Sequence, residues 1–524
     1  FYCALFTLQV APLPSEYDSN NVYFALSDVA FSCQYKNGKQ CNQHINENFQ
    51  FFKKLLYPRQ LPYTSEEYKQ LNVYDPIINV DGIIETDSEL YDIMTLNESY
   101  TLNIINQTVK IYSQNHFGFS RALATLVQLA DLYKPLEEDQ KAYSIVNVSI
   151  KDEPAYKWRQ ILIDCSRHYQ SLSSLEKQID AMALTKLNVL HMHAVDAESF
   201  PVKFSNLPQS DLVKGAYHQS FYYSIKDLKS LQKYALMRGV ILYLEFDLPG
   251  HVYSWRFADE RIVANCPSKT NINNWAINPA YVVSYQYIRG VLQETLVDFF
   301  IDSGITPMVH LGGDEVVGAC WEEDQEVNQY MIDNNLTTSE LWQEFHNKVY
   351  QIIDEIMGDN NRYQVYWNDA MDNNNRFDEK SIVHYWEHTN KSAAIALNHK
   401  MIQSTHWYLD QMHPGDTNFY FFQDTWKDMY RIQILDGVPE DKHHLILGGG
   451  PCQWAEYIHE QSIGAHMYPR AIAVAEVLWT NPKNRQVTTQ VEDRIEHLAC
   501  KMYQAGLGVG PINPGKPCLG EISP

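Results

Sequence analysis

From about Trp158 onward, apolar runs typical of buried strands alternate with amphipathic helical runs. This alternation is the pattern of parallel βα units, in which a helix follows each strand. Eight such units over roughly 370 residues predict an α/β fold of the (β/α)8 (TIM) barrel type, because a doubly wound sheet seldom needs so many strands. The predicted strands are Gln160–Asp164, Asn188–Ala194, Val240–Phe246, Pro307–Leu311, Tyr363–Trp367, Ser381–Trp386, Lys400–Thr405 and His444–Gly448.

Three helices between these strands have clear start or stop signals. The helix predicted at Ser174–Leu187 opens on a Ser-x-x-Glu-like pattern. The helices at Lys226–Arg238 and Ser339–Met357 each end at a glycine, Gly239 and Gly358 respectively.

The first 150 or so residues have a different pattern. They predict strands at Val22–Leu26, Tyr100–Ile104 and Thr108–Tyr112, and a helix at Gly118–Tyr133. We interpret residues 1–153 as a small α+β domain that precedes the barrel of residues 154–524. The boundary is placed at Asp152-Glu153-Pro154, because proline and adjacent charges end strands.

Charge excludes several classes of partner. The 64 acidic and 41 basic residues among 524 give a formal charge of −23, which argues against nucleic acid and polyanion partners. Protonating all 19 histidines would bring the charge to −23 + 19 = −4, so mild acid would relax the self-repulsion. No stretch approaches the roughly 20 apolar residues that a membrane span needs.

Several features suit a secretory route. Residues 1–11 are apolar and precede Pro12, as in the tail of a signal peptide or an ordinary first strand. The nine cysteines form no C-x-x-C pair, which favours disulfides and buried thiols over zinc ribbons. Candidate N-glycosylation sites are Asn97, Asn106, Asn147, Asn335 and Asn390. A lysosomal or extracellular location is expected.

Chemistry-bearing residues concentrate where the predicted strands end, which is the active face of a barrel. Carboxylates and four tryptophans at one mouth suit a sugar, whose C–H faces pack on aromatic rings while its hydroxyls bind carboxylates and arginine. These strand-end residues are Asp164, Arg167, His168, His193, Asp196, Glu245, Asp247, His251, Asp314, Glu315, Trp367, Asp369, Trp386, Glu387, Trp407, Tyr408, Asp410, Trp454 and Glu456.

The sharpest element is the segment His310–Glu315, HLGGDE. Its two glycines permit a tight turn that projects Asp314 and Glu315 from a rigid strand end. Adjacent acids raise one another's pKa, so one can remain protonated as a general acid while the other stays anionic. Alternatively, the pair caps the next helix. The spacing alone leaves both interpretations open.

Five segments together resemble family 20 glycoside hydrolases, the β-N-acetylhexosaminidases. They are HLGGDEV (310–316), DCSRHY (164–169), HMHAVDAESFP (191–201), EFDLPGH (245–251) and WYLD (407–410). The resemblance covers nearly the whole chain, because the N-terminal part is similar to the small domain that precedes this family's barrel. It implies an exo-acting, retaining enzyme that removes terminal β-GlcNAc or GalNAc.

The resemblance implies a role for each matching residue. Glu315 is the general acid/base, Asp314 orients the substrate's own 2-acetamido group, and Tyr408 hydrogen-bonds the acetamide oxygen that attacks the anomeric carbon. Trp367, Trp386 and Trp454 form the acetamide wall. Arg167, Asp196, Asp410 and Glu456 bind sugar hydroxyls, and His251 and His310 support the acids. No cofactor is implied. The partners implied are oligosaccharide, glycoprotein or glycolipid glycans, with a homodimer as an inference.

Two alternatives come from other functional classes. A catalytically silent sugar-binding barrel would share the fold, although such a protein could lose Asp314 and Glu315. The pair His191-x-His193 at a strand end suggests a metal-dependent hydrolase, but the other strand ends offer no obvious complete ligand set. Single residues also have structural interpretations, since strand-end tryptophans often only pack and Arg167 could pair with a core carboxylate.

Two departures from the family pattern bear on the site. The segment GPCQWAE (450–456) stands where G-E-A-C-L-W-G-E is usual, so one glutamate is lost and Pro451 is unusual. Gln411, rather than a cation, follows Asp410, which predicts neutral substrates and not 6-sulfated ones. The resemblance also implies disulfides Cys266–Cys320 and Cys500–Cys518. Cys33–Cys41 is a looser expectation, and Cys165 and Cys452 are expected to be buried thiols.

Overall fold

The computed structural model describes residues 8–57, 76–86, 90–133, 142–207, 211–373, 375–387, 390–410, 425–483, 485–513 and 518. The N-terminal region is a six-stranded mixed sheet of order β1-β2-β4-β3-β6-β5, with β1 also paired to β6. Its strands are β1 (Glu16–Tyr35), β2 (Ile77–Ile84), β3 (Tyr100–Ile105), β4 (Thr108–Ser113), β5 (Ala130–Tyr133) and β6 (Ala142–Asp152).

The second region is a closed parallel barrel, which confirms the predicted fold class. All eight predicted strands form, and the last strand pairs with the first to close the ring. The strands are β7 (Trp158–Asp164), β8 (Val189–Val195), β11 (Ile241–Phe246), β12 (Met308–His310), β13 (Tyr363–Trp367), β14 (Ser381–Tyr385), β15 (Lys400–Gln403), and the pair β16 (Ile446–Gly449) and β17 (Cys452–Gln453). Two short strands, β9 (Val202–Lys203) and β10 (Tyr223–Ser224), pair outside the barrel.

The eighth barrel strand begins later than predicted and is split by Gly450-Pro451. His444 lies in a 3₁₀ helix, Glu440–Leu445, and not in the strand. A Cβ on Gly450 would overlap the carbonyl oxygen of Gln160 in β7, so only glycine lets the two strands approach this closely. Pro451 leaves the ladder intact because its carbonyl accepts a hydrogen bond from Leu162 N at 2.9 Å.

The helices cover the barrel and the sheet. Capping boxes, Ser224 with Asp227 and Thr337 with Glu340, start two of the predicted helices. The α-helices are Gln43–Leu56, His116–Leu129, Leu172–Thr185, Ile225–Met237, Val282–Gln293, Gly318–Glu323, Gln325–Asn334, Thr338–Met357, Asn368–Asp372, Ser392–Ala396, Trp426–Arg431, Ile463–Met467, Arg470–Thr480 and Thr489–Gln504. A π-helical segment, Glu294–Phe300, continues the helix that ends at Gln293.

The N-terminal prediction is incomplete. Strands β2 and β6 and the helix Gln43–Leu56 were not predicted, and the helix predicted to reach Tyr133 ends at Leu129, where β5 begins. The predicted boundary at residue 153 lies between β6 and β7 and stays a prediction. Residues 1–7 lie outside the described residues, whereas Leu8, Val10 and Ala11 are buried.

Buried ion pairs join the sheet to the barrel. Glu98 accepts from Arg121 at 2.9 Å in the N-terminal region and from Arg159 of β7 at 2.7 Å. Asp152 at the end of β6 pairs with Lys186 at 2.8 Å. Because each charge has a partner, these contacts fix the two regions against each other without leaving a buried charge unpaired.

The disulfides are the three expected ones, Cys33–Cys41, Cys266–Cys320 and Cys500–Cys518. Cys165 and Cys452 are free and buried, as expected. Among the residues that the structure describes, no helix is long and apolar enough to cross a membrane.

Candidate active site

The turn after β12 carries the two adjacent acids. Gly312 and Gly313 have φ of +61° and +91°, and a Cβ on Gly312 would overlap the Asp247 carboxyl group. Asp247 Oδ1 accepts a hydrogen bond from Gly313 N at 2.8 Å. Glu315 itself has φ of +50°, a left-handed conformation that is strained for a non-glycine residue. The backbone is thus held in an unusual conformation where Asp314 and Glu315 emerge.

The capping interpretation of this pair is wrong. The next helix begins at Gly318, with Val317 as its N-cap and no side-chain cap hydrogen bond. Both acids are therefore available for other contacts. Glu315 is exposed, and Asp314 is almost buried.

Below the turn, a buried layer of side chains centred on Glu245 forms the floor of the barrel mouth. The parallel register places His193, Glu245 and His310 side by side on β8, β11 and β12. Glu245 Oε2 lies 2.7 Å from His193 Nδ1, and Oε1 lies 3.1 Å from His310 Nδ1 and accepts from Trp367 Nε1 at 2.8 Å. Burial raises the pKa of Glu245, but the neighbouring histidines outweigh it and hold this pKa well below the usual range.

A chain of contacts runs from this floor to the acids. His193 Nε2 lies 2.6 Å from Asp196 Oδ2, and Asp196 Oδ1 lies 3.0 Å from His251 Nδ1. His251 Nε2 faces both acids, 3.4 Å from Glu315 Oε2 and 3.8 Å from Asp314 Oδ2. Although burial favours a neutral His251 ring, Asp196 and Asp314 raise its pKa well above the ordinary value, so the ring is a cation.

The pKa values of the acids differ from the sequence expectation. The pKa of Glu315 is lowered, because the hydrogen-bonding and charge effects of His251 outweigh partial desolvation. The raised pKa belongs instead to Asp247, which is fully buried and next to Asp314. The expectation considered only the two sequence neighbours, and the fold adds a cation on one side and a third carboxyl group on the other.

An apolar pocket lies beside the acids. Leu162 and Cys452 form its floor with Trp367, and the rings of Trp386, Trp454 and Tyr408 pack against that cluster. The ring centroids of Trp386 and Tyr408 are 6.1 Å apart, and those of Trp367 and Trp454 are 6.2 Å apart. Three of the four predicted tryptophans thus belong to one aromatic cluster, which we call the aromatic pocket.

The fourth tryptophan does not reach the mouth. Trp407 is fully buried and donates a hydrogen bond to Met429 O at 3.1 Å, so it packs in the core. The next residue, Tyr408, forms a bridge with Cys452 in the split eighth strand. Burial raises the pKa of Tyr408 well above 10, so its hydroxyl keeps its proton and can donate a hydrogen bond.

The predicted hydroxyl-binding residues fall into two groups. Arg167 lies 2.9 Å from Asp196 and 3.0 Å from Glu198, and its guanidinium lies over the Trp454 ring. Asp196 is 1% exposed and engaged by Arg167, His193 and His251, so it supports the site from below and does not face a ligand. Glu198 was not predicted, although it stands only two residues after Asp196.

The second group lies after the seventh and eighth strands. Burial raises the pKa of Asp410 to about 7 and also raises that of Glu456, where Asp164 adds to the effect. Among the described residues, two buried carboxylate oxygens of the site have no hydrogen-bond partner, Asp314 Oδ1 and Asp410 Oδ1. Unpaired buried polar atoms are rare in folded proteins, and they are expected where a ligand binds.

Asp369 joins the pocket to the acid turn. Its Oδ2 accepts a hydrogen bond from Trp386 Nε1 at 2.6 Å, and its Oδ1 accepts one from Glu315 N at 3.3 Å. Burial and the nearby Asp314 raise the pKa of Asp369 to about 6. The sequence placed Asp369 after the fifth strand without a role, because its two partners come from other strands.

The site combines an aromatic cluster with two adjacent acids at the C-terminal face of a barrel, an arrangement typical of a glycosidase. The model of "Glycosyl hydrolase family 20, catalytic domain" matches residues 156–482, and a "beta-acetyl hexosaminidase like" model matches residues 10–129. The chain belongs to glycosyl hydrolase family 20.

Named relatives agree with this membership. The chain is 33% identical over 421 residues to beta-hexosaminidase subunit A1 of Dictyostelium discoideum, covering 80% of this chain and 76% of the relative. It is 30% identical over 442 residues to human beta-hexosaminidase subunit beta, covering 82% and 75%. It is therefore a glycoside hydrolase, a β-N-acetylhexosaminidase.

A solved structure shows the same fold. The exo β-N-acetylglucosaminidase of Vibrio harveyi in complex with N-acetylglucosamine superposes with a TM-score of 0.77 at 21% identity, covering 97% of this chain and 79% of that one. At this identity the comparison supports the fold, including the domain before the barrel.

We expect Asp369→Asn to lower kcat by about 10-fold, equivalent to about 1.4 kcal/mol of transition-state stabilisation. The amide oxygen can serve only one of the two donors, so either Trp386 or the Glu315 backbone loses its partner. Steady-state kinetics on an aryl β-GlcNAc, with inhibition by a thiazoline mimic of the cyclic intermediate, would measure the loss.

Asp372→Asn is the matched control, because Asp372 is an exposed acid on the same short helix and accepts from Asn368 at 2.7 Å. It should leave kcat and thiazoline inhibition unchanged. Equal kinetics for the two variants would contradict a positioning role for Asp369.

The pH dependence of kcat/KM should report the contact between His251 and Glu315. The family resemblance predicts that Glu315 is the general acid, which must be protonated, so activity should fall as pH rises through its pKa. Because His251 lowers that pKa, His251→Gln should move the alkaline limb to higher pH, whatever its effect on the maximum. A limb that stays in place or moves to lower pH would show that His251 does not set the pKa of Glu315.

Proposed function

We propose that the chain removes terminal, non-reducing β-GlcNAc or β-GalNAc residues with retention, using the substrate's own acetamide as the nucleophile. The observation that carries this assignment is that the adjacent acids Asp314 and Glu315 lie next to a cluster of three indoles and one tyrosine, to which Asp369 links them through its hydrogen bonds with Trp386 Nε1 and Glu315 N. An enzyme nucleophile would need a second carboxylate about 5 Å from the acid across the sugar, whereas substrate assistance permits sequence neighbours.

In this reaction Glu315 donates a proton to the glycosidic oxygen as the bond to the anomeric carbon breaks. The acetamide carbonyl oxygen forms the new bond to that carbon, which gives a cyclic oxazolinium ion. Asp314, as an anion, binds the acetamide N–H and stabilises the positive charge, while the Tyr408 hydroxyl donates to the acetamide oxygen. Water then attacks the anomeric carbon and gives its proton to Glu315, while the bond between that carbon and the acetamide oxygen breaks and restores the acetamide.

The aromatic pocket supplies proximity. Trp367, Trp386 and Trp454 enclose the acetamide and hold it under the ring, so that the attacking oxygen starts near its target. Arg167, Asp410 and Glu456 bind hydroxyl groups at the rim. Asp196, His251 and His310 position the acids from below, which changes the role expected for Asp196 from sugar contact to support.

The mechanism is tested by two variants with leaving groups of different acidity. Glu315→Gln should lose at least about 10²-fold in kcat on a poor leaving group, and less on an activated one, because an activated aryl leaving group needs little protonation. Asp314→Asn should lose activity with both, because ring closure itself is impaired.

A 2-hydroxy analogue of the same aryl glycoside is the control substrate, and it should be cleaved far more slowly by the unaltered chain. Comparable cleavage of both sugars would overturn substrate assistance. Binding of N-acetylglucosamine without turnover would instead identify a silent sugar-binding protein, and inhibition by chelators would favour a metal-dependent hydrolase.

Neutral sugars are the proposed substrates, because the Asp410 carboxylate at the rim would repel a 6-sulfate. Gln411 lies outside the described residues, so this proposal rests on Asp410. Turnover of a 6-sulfated aryl substrate should be at least about 10-fold below that of its neutral counterpart, equivalent to about 1.4 kcal/mol.

This discrimination should grow as pH rises through about 7, because the Asp410 carboxyl group then loses its proton. Asp410→Asn should remove the pH dependence. Comparable turnover of the two substrates by the unaltered chain at pH 8 would defeat the proposal.

The cellular setting belongs to the same proposal. A lysosomal or secreted location is supported by three disulfides and by sequon asparagines, of which Asn97, Asn106, Asn335 and Asn390 are exposed and Asn147 is half-buried in β6. Glycoprotein, glycolipid and free oligosaccharide glycans are all proposed substrates, and a homodimer is the proposed assembly.

A further inference from the structure

Beneath the sugar pocket, three histidines from different barrel strands meet. His191, His310 and His384 lie on β8, β12 and β14, and each offers one ring nitrogen within 4.8 Å of the others. All three side chains are fully buried. The sequence showed only His191-x-His193 as a metal pair, and the fold replaces His193 with two histidines from distant strands.

The spacing of the rings suits one small metal ion. Their centroids are 4.7, 5.4 and 5.9 Å apart. Three imidazoles bound to a tetrahedral Zn²⁺ at a Zn–N distance of about 2.1 Å have centroids roughly 5 Å apart. His310 Nε2 and His384 Nδ1, at 3.2 Å, are already at the separation of two ligands of one ion.

The opposite side of each ring has a partner of the kind that orients metal ligands. Glu245 Oε2 lies 2.8 Å from His191 Nε2, and Glu245 Oε1 lies 3.1 Å from His310 Nδ1. The Ser404 hydroxyl donates its hydrogen to Gly450 O at 2.6 Å. It therefore accepts the hydrogen bond from His384 Nε2 at 2.7 Å. Carboxylate and hydroxyl groups behind histidines are the usual second layer of metal sites.

Neither ring nitrogen of His191 has a hydrogen-bond partner. Among the described residues, His191 Nδ1 and Nε2 are both buried without one, although Nε2 lies 2.8 Å from Glu245 Oε2. Leaving such a group unsatisfied costs about 1–3 kcal/mol, so an occupant is expected.

We propose that His191, His310 and His384 bind a structural Zn²⁺ ion in the barrel interior. Neutral imidazoles suit zinc, and binding requires that His310 carry its proton on Nδ1, facing Glu245, so the hydrogen bond that Gly312 N donates to His310 Nδ1 at 3.0 Å must be given up. The site is closed to substrate, because Trp367 stacks on His384 at 4.0 Å between it and the sugar pocket. The ion therefore braces the floor and takes no part in the hydrolysis.

The test measures metal and not activity, so its outcome is independent of the proposed function. Protein from zinc-supplemented cells, desalted without chelator, should contain about one zinc per chain by elemental analysis. His384→Gln should lose this zinc. His346→Gln is the matched control, because His346 is equally buried but packs among Trp342, Phe345 and Tyr366, away from the cluster.

A wild-type chain without zinc, or zinc that His384→Gln retains, would overturn the proposal. If His384→Gln does not fold, diffraction at the zinc absorption edge from wild-type crystals decides the question. An anomalous peak between the three rings supports the site. A peak elsewhere, or none, refutes it and assigns the space near His191 Nδ1 to water.

Discussion

The structure of the site depends on one buried carboxylate, Glu245. It lies where β8, β11, β12 and β13 converge, and its two oxygens are held by His193, His310 and Trp367. Removing one partner of a buried ion pair costs about 3–5 kcal/mol, because the remaining charge is left uncompensated. The contacts of the Glu245 carboxylate thus fix the register of four neighbouring strands. The buried layer beneath the mouth is rigid for that reason.

Both halves of the proposed reaction are positioned from this floor. On the acid side, contacts continue from His193 through Asp196 to His251, which faces Glu315. On the acetamide side, Trp367 is fixed by its hydrogen bond to Glu245 and forms one wall of the pocket. The distance between proton donor and nucleophile is therefore set within one connected network, which is what catalysis by proximity requires.

The sequence predicted what periodicity and local motifs encode. Eight strands were found because each is apolar and followed by a helical pattern, whereas β2 was missed because Asp81-Gly82 interrupts it like a turn. The helix ending at Leu129 was extended too far because Ala130 to Tyr133 continues its apolar character. In the site, strand-end residues were recognisable, but contacts across strands were not. Asp369 and Glu198 act on partners distant in sequence, so no local pattern marks them.

The carboxyl groups at the barrel mouth differ in pKa because their neighbours differ. This difference explains how an acidic site can hold a proton donor and an anion side by side. Glu315 lies beside the cation of His251, which lowers its pKa, whereas burial raises the pKa of Asp247, Asp369 and Asp410. Burial and Asp314 raise the pKa of Asp247, which favours its neutral form beside the acid that we propose to contact the acetamide. A cationic intermediate is stabilised most where one anion is close and the other carboxyl groups are neutral. Because His251 lowers the pKa of Glu315, the proposed proton donor gains its proton only in acid, where the rim carboxyl groups are also uncharged.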